Sequence, residues 1–344
     1  MRRLMLIAWA GLLRTTGGLW WAKRQLRAQG AIVVLMFHRV LGKAEREAAS
    51  SVDGIIVGDD TFERLSAYVA EHFEAVDAGT ALPGIPANRL RVSYTFDDGW
   101  RDNYTTALPI MAAYTIPATI FLCPGLEGHN LPFWPERMVS LLRRNPARPS
   151  EEEIAASIES WKHKPAAQRE EYLRKLEQEQ TAAGAKANVS SDQLVNWRET
   201  AELAKAGIRL GSHTQNHELL TMIPLSKAAA ELRQSKAEIE AAVGSCTVFA
   251  YPNGDWSQET RSLVADAGFD RAFSTRICAW TGGSDPLTIP RVNIYDGKLR
   301  GITGGFSPSV FEYTVFWRAW RAMNHHRIET TKPAAASAVP AEHI

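Results

Sequence analysis

The sequence predicts an α/β fold built around a parallel sheet. Short segments rich in apolar, β-branched and aromatic residues alternate along the chain with longer segments whose apolar residues recur at helical spacing. The chain has 344 residues, of which 45% are hydrophobic, so it can bury one large core or two small ones. In folds of this class, the chemistry lies where the carboxyl ends of the strands meet.

The predicted elements follow one another without an evident internal repeat. Strands are predicted near residues 31–37, 73–77, 90–96, 117–122, 207–212, 246–251 and 270–274. Helices are predicted near residues 60–71, 103–114, 192–205, 225–243 and 257–267. Asp60 and Ser257 are plausible N-cap residues, and Gly244 and Gly268 are plausible C-terminal stops.

Residues 125–191 interrupt this alternation. A loop containing glycine and proline is followed by charged helical segments, and Ser150 lies three residues before Glu153, as in a capping box. We interpret residues 125–191 as a helical insertion in one strand-to-helix connection, placed over the active face. Its charged residues are expected to form a solvated helix face.

Two adjacent carboxylates follow the strand predicted at 90–96. Side chains alternate between the two faces of a strand, so Asp97 and Asp98 can share a site only where the strand ends and the backbone turns. Gly99 permits such a turn. Taken alone, this Asp-Asp-Gly sequence is also a common surface turn.

Two histidines follow the strand predicted at 207–212. His213 falls at the strand end, and His217, four residues later, can return to the same side through a turn. A lone pair at this spacing is usually a coincidence on a polar surface, but here both motifs fall at strand ends. One aspartate and two histidines are a common ligand set for a catalytic divalent metal, and the second aspartate is then free to act as a base. The pattern indicates metal-assisted hydrolysis.

These motifs resemble those of the polysaccharide deacetylases of the NodB-homology type, also called carbohydrate esterase family four. The resemblance covers about residues 31–296, interrupted by the insertion. The first two motifs are Thr95-Phe96-Asp97-Asp98-Gly99 and Ser212-His213-Thr214-Gln215-Asn216-His217, with Glu218 where the family often has proline. The third region, Phe249-Ala250-Tyr251-Pro252-Asn253-Gly254, and the opening Val34-Leu35-Met36-Phe37-His38-Arg39-Val40 resemble a subgroup that acts on exopolysaccharide amino sugars.

The resemblance implies a distorted, incomplete (β/α) barrel and an N-deacetylase whose substrate is an acetylated amino sugar in a polymer or a lipid-linked glycan. It implies that Asp98, His213 and His217 hold a divalent metal and that Asp97 is the general base. Two imidazoles and a carboxylate suit Zn²⁺, with Co²⁺, Ni²⁺ or Mn²⁺ as alternatives. The products would be acetate and a free amine.

Two regions are expected to contact the substrate. A backbone N–H in the turn near Asn253, beside Tyr251, would help to stabilise the oxyanion. In the insertion, Phe133 and Trp134 could stack on sugar rings as parts of a lid. The alternative is a helical flap that only buries its own aromatic residues.

The chain departs from the family pattern at two places. Ala250 replaces the usual third-motif arginine, and no Leu-x-His follows residue 254 to supply the general acid. His38 is a candidate for the general acid, and the metal-bound water acting through Asp97 is another. Alternatively, His38 has no catalytic role and is a strand-end histidine that bonds only to the backbone. Arg291 is a candidate to orient the base in place of the missing arginine, unless it forms a surface salt bridge.

The first 30 residues carry an uneven share of the charge. They hold six basic residues and no acidic one, so the formal net charge of +1 for the whole chain becomes −5 for residues 31–344. A nucleic-acid surface is therefore not indicated. The basic residues, an apolar run of about ten residues and three tryptophans favour peripheral attachment to an anionic membrane. An uncleaved anchor or a packing helix are the alternatives, since no cleavage site follows the apolar run.

The predicted organisation is a basic apolar N-terminal segment at 1–30, a catalytic domain at 31–300, an aromatic C-terminal helix at 301–329 and a disordered tail at 330–344. Cys123, Cys246 and Cys278 resemble small buried hydrophobic residues more than a disulfide framework. No oligomeric state is indicated.

Two other functions remain compatible with the motifs. An O-acetyl esterase or another small-amide hydrolase would use the same metal site, because both reactions pass through a tetrahedral oxyanion. A non-catalytic glycan-binding protein would explain the missing arginine and Leu-x-His motif. Asp97 argues against that interpretation, because binding alone needs no base.

Overall fold

Parallel strands form the centre of the molecule. The computed structural model describes residues 2–126, 133–145, 147, 149–182 and 192–331. The strands are β1 (Ile32–Phe37), β2 (Arg39–Leu41), β3 (Ile56–Gly58), β4 (Glu74–Ala75), β5 (Arg91–Phe96), β6 (Ala118–Leu122), β7 (Arg209–Ser212), β8 (Val248–Ala250), β9 (Arg271–Phe273) and β10 (Val292–Asn293).

Helices surround these strands and extend beyond them at both ends of the chain. They are α1 (Arg2–Thr15), α2 (Gly18–Ala28), α3 (Lys43–Ala48), α4 (Asp59–His72), α5 (Leu108–Ala113), α6 (Trp134–Arg143), α7 (Glu151–Lys162), α8 (Ala166–Ala182), α9 (Trp197–Lys205), α10 (Leu225–Val243), α11 (Gln258–Asp266), α12 (Pro308–Glu312) and α13 (Arg318–Thr331). π-Helical segments at Asn103–Ala107 and Tyr313–Trp317 lead into α5 and α13.

The main sheet is parallel and curled. Within the described residues, it follows the order β10-β1-β5-β6-β7-β8-β9, with β4 also paired to β5. Residues 289–292 connect the two edges of the sheet. Ile289 pairs with Phe273 of β9 at one edge, and Val292 of β10 pairs with Leu35 of β1 at the other. The architecture is therefore the distorted, incomplete (β/α) barrel that was expected. At its seam, where β9 and β10 approach each other and the barrel closes, β10 has only two residues.

Both faces of the sheet are buried, which explains why β1 is apolar throughout its length. In β1, Val33, Leu35 and Phe37 pack in the large core that includes the surrounding helices. Ile32 and Val34 point the other way and pack with residues of neighbouring strands in a second, smaller core. The two cores fix the register of the strands and so the positions of the residues that follow them.

The predicted strands and helices all occur, with shifts at their ends. Ser257 caps α11 and Gly244 ends α10 with a φ of 85°, as predicted. Asp60 is not an N-cap, because Gly58 holds the extended position before α4 and Asp60 lies inside the first turn. Strands β2, β3 and β10, which have two or three residues each, were not predicted.

The segment predicted as an insertion contains α6, α7 and α8. The Ser150 capping box is present, with the Glu153 N–H donating to Ser150 Oγ at 3.2 Å. These helices share a small core of their own. They form part of the wall of the cavity at the carboxyl ends of the strands.

The two ends of the chain pack against each other. Trp21 of α2 meets Trp320 of α13 edge to face, with ring centroids 4.7 Å apart, and Lys23 pairs with Glu312. Among the described residues, no helix combines the length and apolar character needed to cross a bilayer. Beyond Thr331, the predicted disordered tail lies outside the described residues. The three cysteines are buried and free.

Candidate active site

Sharp turns after the strands bring the predicted site residues together. Asp97 and Asp98 follow β5, and His213 follows β7. Among the described residues, five other than glycine have a positive φ, and Asp98, Thr214, His217 and Asn253 are four of them. A left-handed backbone is unfavourable for such residues and concentrates at functional sites, where the surrounding structure maintains it.

One carboxylate and two imidazoles converge on a common point. Asp98 Oδ1 lies 3.6 Å from His213 Nε2 and 3.4 Å from His217 Nε2. The three ligand atoms all lie within 4.8 Å of one another. Asp98 Oδ1 is buried and has no hydrogen-bond partner among the described residues, whereas Oδ2 accepts from Trp100 Nε1 at 2.9 Å. A cation between these three atoms would satisfy the unpaired oxygen.

Both imidazoles are suited to bind a cation in their neutral form. The Nδ1 of His213 lies 2.7 Å from the carbonyl oxygen of Ala250. A carbonyl only accepts, so Nδ1 carries the proton and Nε2 presents its lone pair to the site. Burial is the main cause that lowers the pKa of His213 and of His217 to about 4. The three residues therefore fit a divalent metal.

The bond from Trp100 fixes the carboxylate of Asp98 and leads to a prediction. Trp100→Phe is expected to weaken metal binding by about tenfold to a hundredfold, the usual effect of removing a group that orients a ligand. Competition with a chromophoric chelator measures the affinity. Trp256→Phe, at a half-exposed site, is the control. An unchanged affinity in Trp100→Phe would show that this bond does not support metal binding.

Asp97 lies next to the metal-ligand set but has a different partner. Arg291 donates to both of its oxygens, at 2.6 Å to Oδ1 and 2.8 Å to Oδ2, and also to the carbonyl of Ser274 at 3.1 Å. The Arg291 side chain is fully buried. Burial alone would raise the pKa of Asp97, but the charge and hydrogen bonds of Arg291, together with the nearby histidines, outweigh burial and the pKa falls to about 2. Asp97 is therefore an ionised, oriented carboxylate at neutral pH.

Arg291 stands where the barrel closes. It lies between Ile289, which pairs with β9, and β10, which pairs with β1. The alternative of a surface salt bridge is excluded, because the pair of Arg291 and Asp97 is buried. The structure brings Arg291 to Asp97 through the seam, although Arg291 is far from the third motif in sequence.

His38 reaches the same cavity from the end of β1. It is half-buried, and its Nδ1 is buried without a hydrogen-bond partner in the described part of the chain. Its backbone carbonyl accepts from Asn103 Nδ2 at 2.7 Å, which holds the turn in place.

The site opens into a cavity of about 400 Å³. Its lining includes Asn253, and Trp134, Glu136, Lys162 and Arg169 from the insertion. The wall is otherwise largely apolar. A cavity of this size accommodates one or two sugar rings.

The prediction that Tyr251 contacts the substrate is wrong. Its side chain is fully buried, its hydroxyl donates to the carbonyl of Leu287 at 3.0 Å, and it does not line the cavity. Its N–H donates to the carbonyl of Phe273 at 3.0 Å. Tyr251 therefore belongs to the core, and neither its side chain nor its N–H is available to a substrate.

Sequence reasoning missed one residue behind the site and several that line the cavity. Trp100 immediately follows the first motif and lies two residues after the ligand Asp98. That position could have suggested that its indole N–H bonds to the Asp98 carboxylate. Glu136 is buried, and burial raises its pKa to about 8 despite the attraction of Arg39. Glu136, Lys162 and Arg169 lie in the insertion, where charged residues gave no signal other than a solvated helix.

Comparison with known proteins identifies the family. A family model described as polysaccharide deacetylase matches residues 85–272. The chain belongs to the polysaccharide deacetylase family. The match includes both aspartates, both histidines and Asn253, whereas His38 and Arg291 lie outside it.

The relatives of this deacetylase-family chain are distant. YxkH of Bacillus subtilis (strain 168), itself an inferred polysaccharide deacetylase, is 22% identical over 220 residues, which is 64% of this chain and 57% of YxkH. The chain therefore spans little more than half the length of this curated relative.

Solved structures share the fold. The deacetylase PplD of Streptococcus pyogenes, in complex with acetate, has a TM-score of 0.54 at 18% identity, covering 83% of this chain and 98% of PplD. IcaB of Ammonifex degensii has a TM-score of 0.53 at 18% identity, covering 84% and 98%. A de-N-acetylase of Aggregatibacter actinomycetemcomitans has a TM-score of 0.52 at 13% identity, covering 83% and 99%.

Proposed function

We propose that this chain is a metal-dependent hydrolase that removes N-acetyl groups from amino sugars of a polysaccharide or lipid-linked glycan. The observation that carries the proposal is the arrangement at the strand ends. One carboxylate faces two neutral imidazoles, and the adjacent carboxylate is held ionised by a buried arginine. A binding protein would have no need of such a base. The proposed substrate belongs to the exopolysaccharide class, which the third region and first strand of the sequence favour.

The metal would be held by Asp98, His213 and His217, and we propose Zn²⁺. When bound, it would polarise the acetamide carbonyl and lower the pKa of water from about 16 toward 7. Asp97 accepts the proton from the attacking water, because Arg291 keeps it ionised and fixes both oxygens. Each Asp97 oxygen still has lone pairs free after accepting from Arg291.

The remaining steps use groups on other sides of the cavity. The backbone N–H of Asn253, in the turn after β8, helps to stabilise the developing oxyanion. His38 donates a proton to the leaving amine, since it lines the cavity and one of its ring nitrogens has no hydrogen-bond partner among the described residues. Trp134 also lines the cavity, and a sugar ring stacks on the part of its indole that Arg169 does not cover.

Acetate release from paired substrates tests this proposal against an O-acetyl esterase. We compare oligomers of N-acetylglucosamine with an O-acetylated xylan oligomer of similar length, which has no N-acetyl group. Both are used at equal acetyl concentration. We expect acetate from the first at a kcat/KM at least tenfold higher. Faster release from the ester would support the esterase instead. Binding of either oligomer without release from any substrate would favour a glycan-binding role.

We also propose that residues 1–30 lie on an anionic membrane surface. α1 buries Ala10 and Leu13 and exposes Met5, Trp9 and Leu12, which recur at helical spacing on the other side. Basic residues accompany this apolar stripe, with no acidic residue in the segment. Such a helix lies in the headgroup region without crossing the bilayer.

Vesicle sedimentation tests the membrane proposal. The protein should bind vesicles that contain phosphatidylglycerol and not vesicles of phosphatidylcholine alone. Trp9→Ser should weaken binding about thirtyfold, because a large apolar side chain contributes roughly 2 kcal/mol on burial. Trp256→Ser, which changes an exposed tryptophan outside the segment, is the control. Equal binding to both vesicle types would contradict the proposal.

A further inference from the structure

Two cations of the insertion stand in the wall of the cavity. Lys162 ends α7 and Arg169 lies in the first turns of α8, so the short connection between the two helices brings both side chains to the same wall. The Arg169 guanidinium donates to the carbonyl of Lys164 at 2.8 Å and to that of Lys162 at 3.4 Å. It also stacks over Trp134, with its central carbon 5.0 Å from the ring centroid. Arg169 is therefore held in one place.

The charge of Arg169 is only partly compensated. Its acidic neighbour is Glu218, 3.6 Å away, and the other oxygen of that carboxylate accepts from Lys227 at 2.7 Å. One carboxylate is thus shared by two cations. The Arg169 side chain is only 11% exposed, so water solvates it poorly. Burial lowers the pKa of Arg169 in spite of Glu218, which is the sign of an under-compensated cation.

Lys162 adds a second positive charge. Its ammonium donates to the neutral side-chain oxygen of Asn253 at 3.1 Å, which places it beside the turn of the third motif. Its acidic partner is Glu159, at 2.9 Å, one helical turn away and 59% exposed. The interaction energy of an exposed ion pair of this kind is small, so the Lys162 ammonium can exchange Glu159 for another anion.

The carboxylates of the cavity are already engaged elsewhere. Asp97 is neutralised by Arg291, and Asp98 faces the two histidines. Glu136 accepts from Ser51 at 3.1 Å and its raised pKa of about 8 leaves it largely uncharged near neutral pH. The wall formed by the insertion therefore presents a net positive charge to whatever fills the cavity.

We propose that Lys162 and Arg169 form an anion-binding subsite, so that the substrate carries a carboxylate or phosphate close to the acetamido group that is hydrolysed. The proposal rests on the proposed deacetylase function and names its substrate class. A uronic acid next to the amino sugar would supply the carboxylate. A sugar phosphate or phosphodiester would supply the phosphate. Either group would receive charge-assisted hydrogen bonds in a partly buried site, where they are strongest.

Substrate competition tests the subsite. At low salt, kcat/KM for acetate release is measured on two anionic substrates and their neutral references. Hyaluronan oligosaccharides, which carry a carboxylate, are compared with a neutral oligomer of N-acetylglucosamine. N-acetylglucosamine 1-phosphate is compared with the N-acetylglucosamine monomer. We expect one anionic substrate to exceed its neutral reference by about tenfold, a difference of about 1.4 kcal/mol. The arm that gains shows which anion is recognised. Added salt should reduce the gain.

Matched variants show whether these residues cause the preference. Lys162→Met should lower kcat/KM about tenfold more for the preferred anionic substrate than for its neutral reference. Lys175→Met, which changes an exposed lysine of α8, should leave the ratio as it is. Equal kcat/KM for anionic and neutral substrates, or an equal loss on both in Lys162→Met, would overturn the subsite and leave the deacetylase function standing.

Binding separates failure of the subsite from failure of the function. If no substrate releases acetate, calorimetric titration with the same sugars still decides. Tighter binding of an anionic sugar that weakens about tenfold in Lys162→Met would retain the subsite and reject the deacetylase. Absence of any preference in binding would overturn the subsite as well.

Discussion

Asp97→Asn is expected to lower kcat for acetate release by about a hundredfold to ten-thousandfold, the usual contribution of a general base. The amide keeps the shape of the side chain and can still accept from Arg291, but it cannot take a proton from water. Because Asp97 is not one of the three converging groups, the variant should keep its metal. Metal content and acetate release measured on the same preparation give both results.

Asp98→Asn is the matched variant. It removes the charge of the carboxylate that faces His213 and His217, so it should lose metal as well as activity. The two neighbouring aspartates then differ in a single readout, the metal content. Retained activity in Asp97→Asn, or loss of metal from it, would remove Asp97 from the role of base.

Arg291→Met should lower the free energy of unfolding by about 3–5 kcal/mol, because it leaves the Asp97 carboxylate buried without its partner. It should also lower kcat, since the base loses its orientation and its pKa rises. Urea unfolding and acetate release measure the two effects. Arg261→Met, which removes a partly exposed pair with Asp285, should cost less than about 1 kcal/mol. Similar costs for the two variants would contradict the buried pair.

The Arg291 effect depends on pH in a defined direction. The pKa of Asp97 is lowered from 3.8 to about 2 in the folded protein, so its ionised form contributes stability above about pH 4. That contribution is lost as the pH falls toward 2. The difference in unfolding free energy between the parent protein and Arg291→Met should therefore shrink over this range. A difference that stays constant would show that Asp97 is not the partner through which Arg291 stabilises the fold.

The strand-end residues could be predicted because local rules determine them. The apolar strand before Asp97 and the glycine after Asp98 require a turn at that point, and His213 follows a strand in the same way. Parallel strands bring such ends to one edge of the sheet. The alternation of side chains along a strand also explains the core of the barrel.

Long-range contacts were harder to foresee. The Arg291 pair depends on how the last strand meets the first at the barrel seam, which no local pattern specifies. Tyr251 was assigned to the site from its motif, but its side chain points into the core, where its hydroxyl finds the Leu287 carbonyl. Lys162 and Arg169 resemble solvated helix residues in sequence, and only the packing of the insertion brings them to the cavity.

Acetate release by metal-stripped protein, measured before and after Zn²⁺ is added back, tests most directly whether the chain is a metal-dependent deacetylase. The substrate is the N-acetylglucosamine oligomer, and Asp97→Asn is run in parallel. We expect no release without metal, recovery on addition of about one Zn²⁺ per chain, and no recovery in the variant. Full release by the stripped protein, or equal recovery in Asp97→Asn, would contradict it.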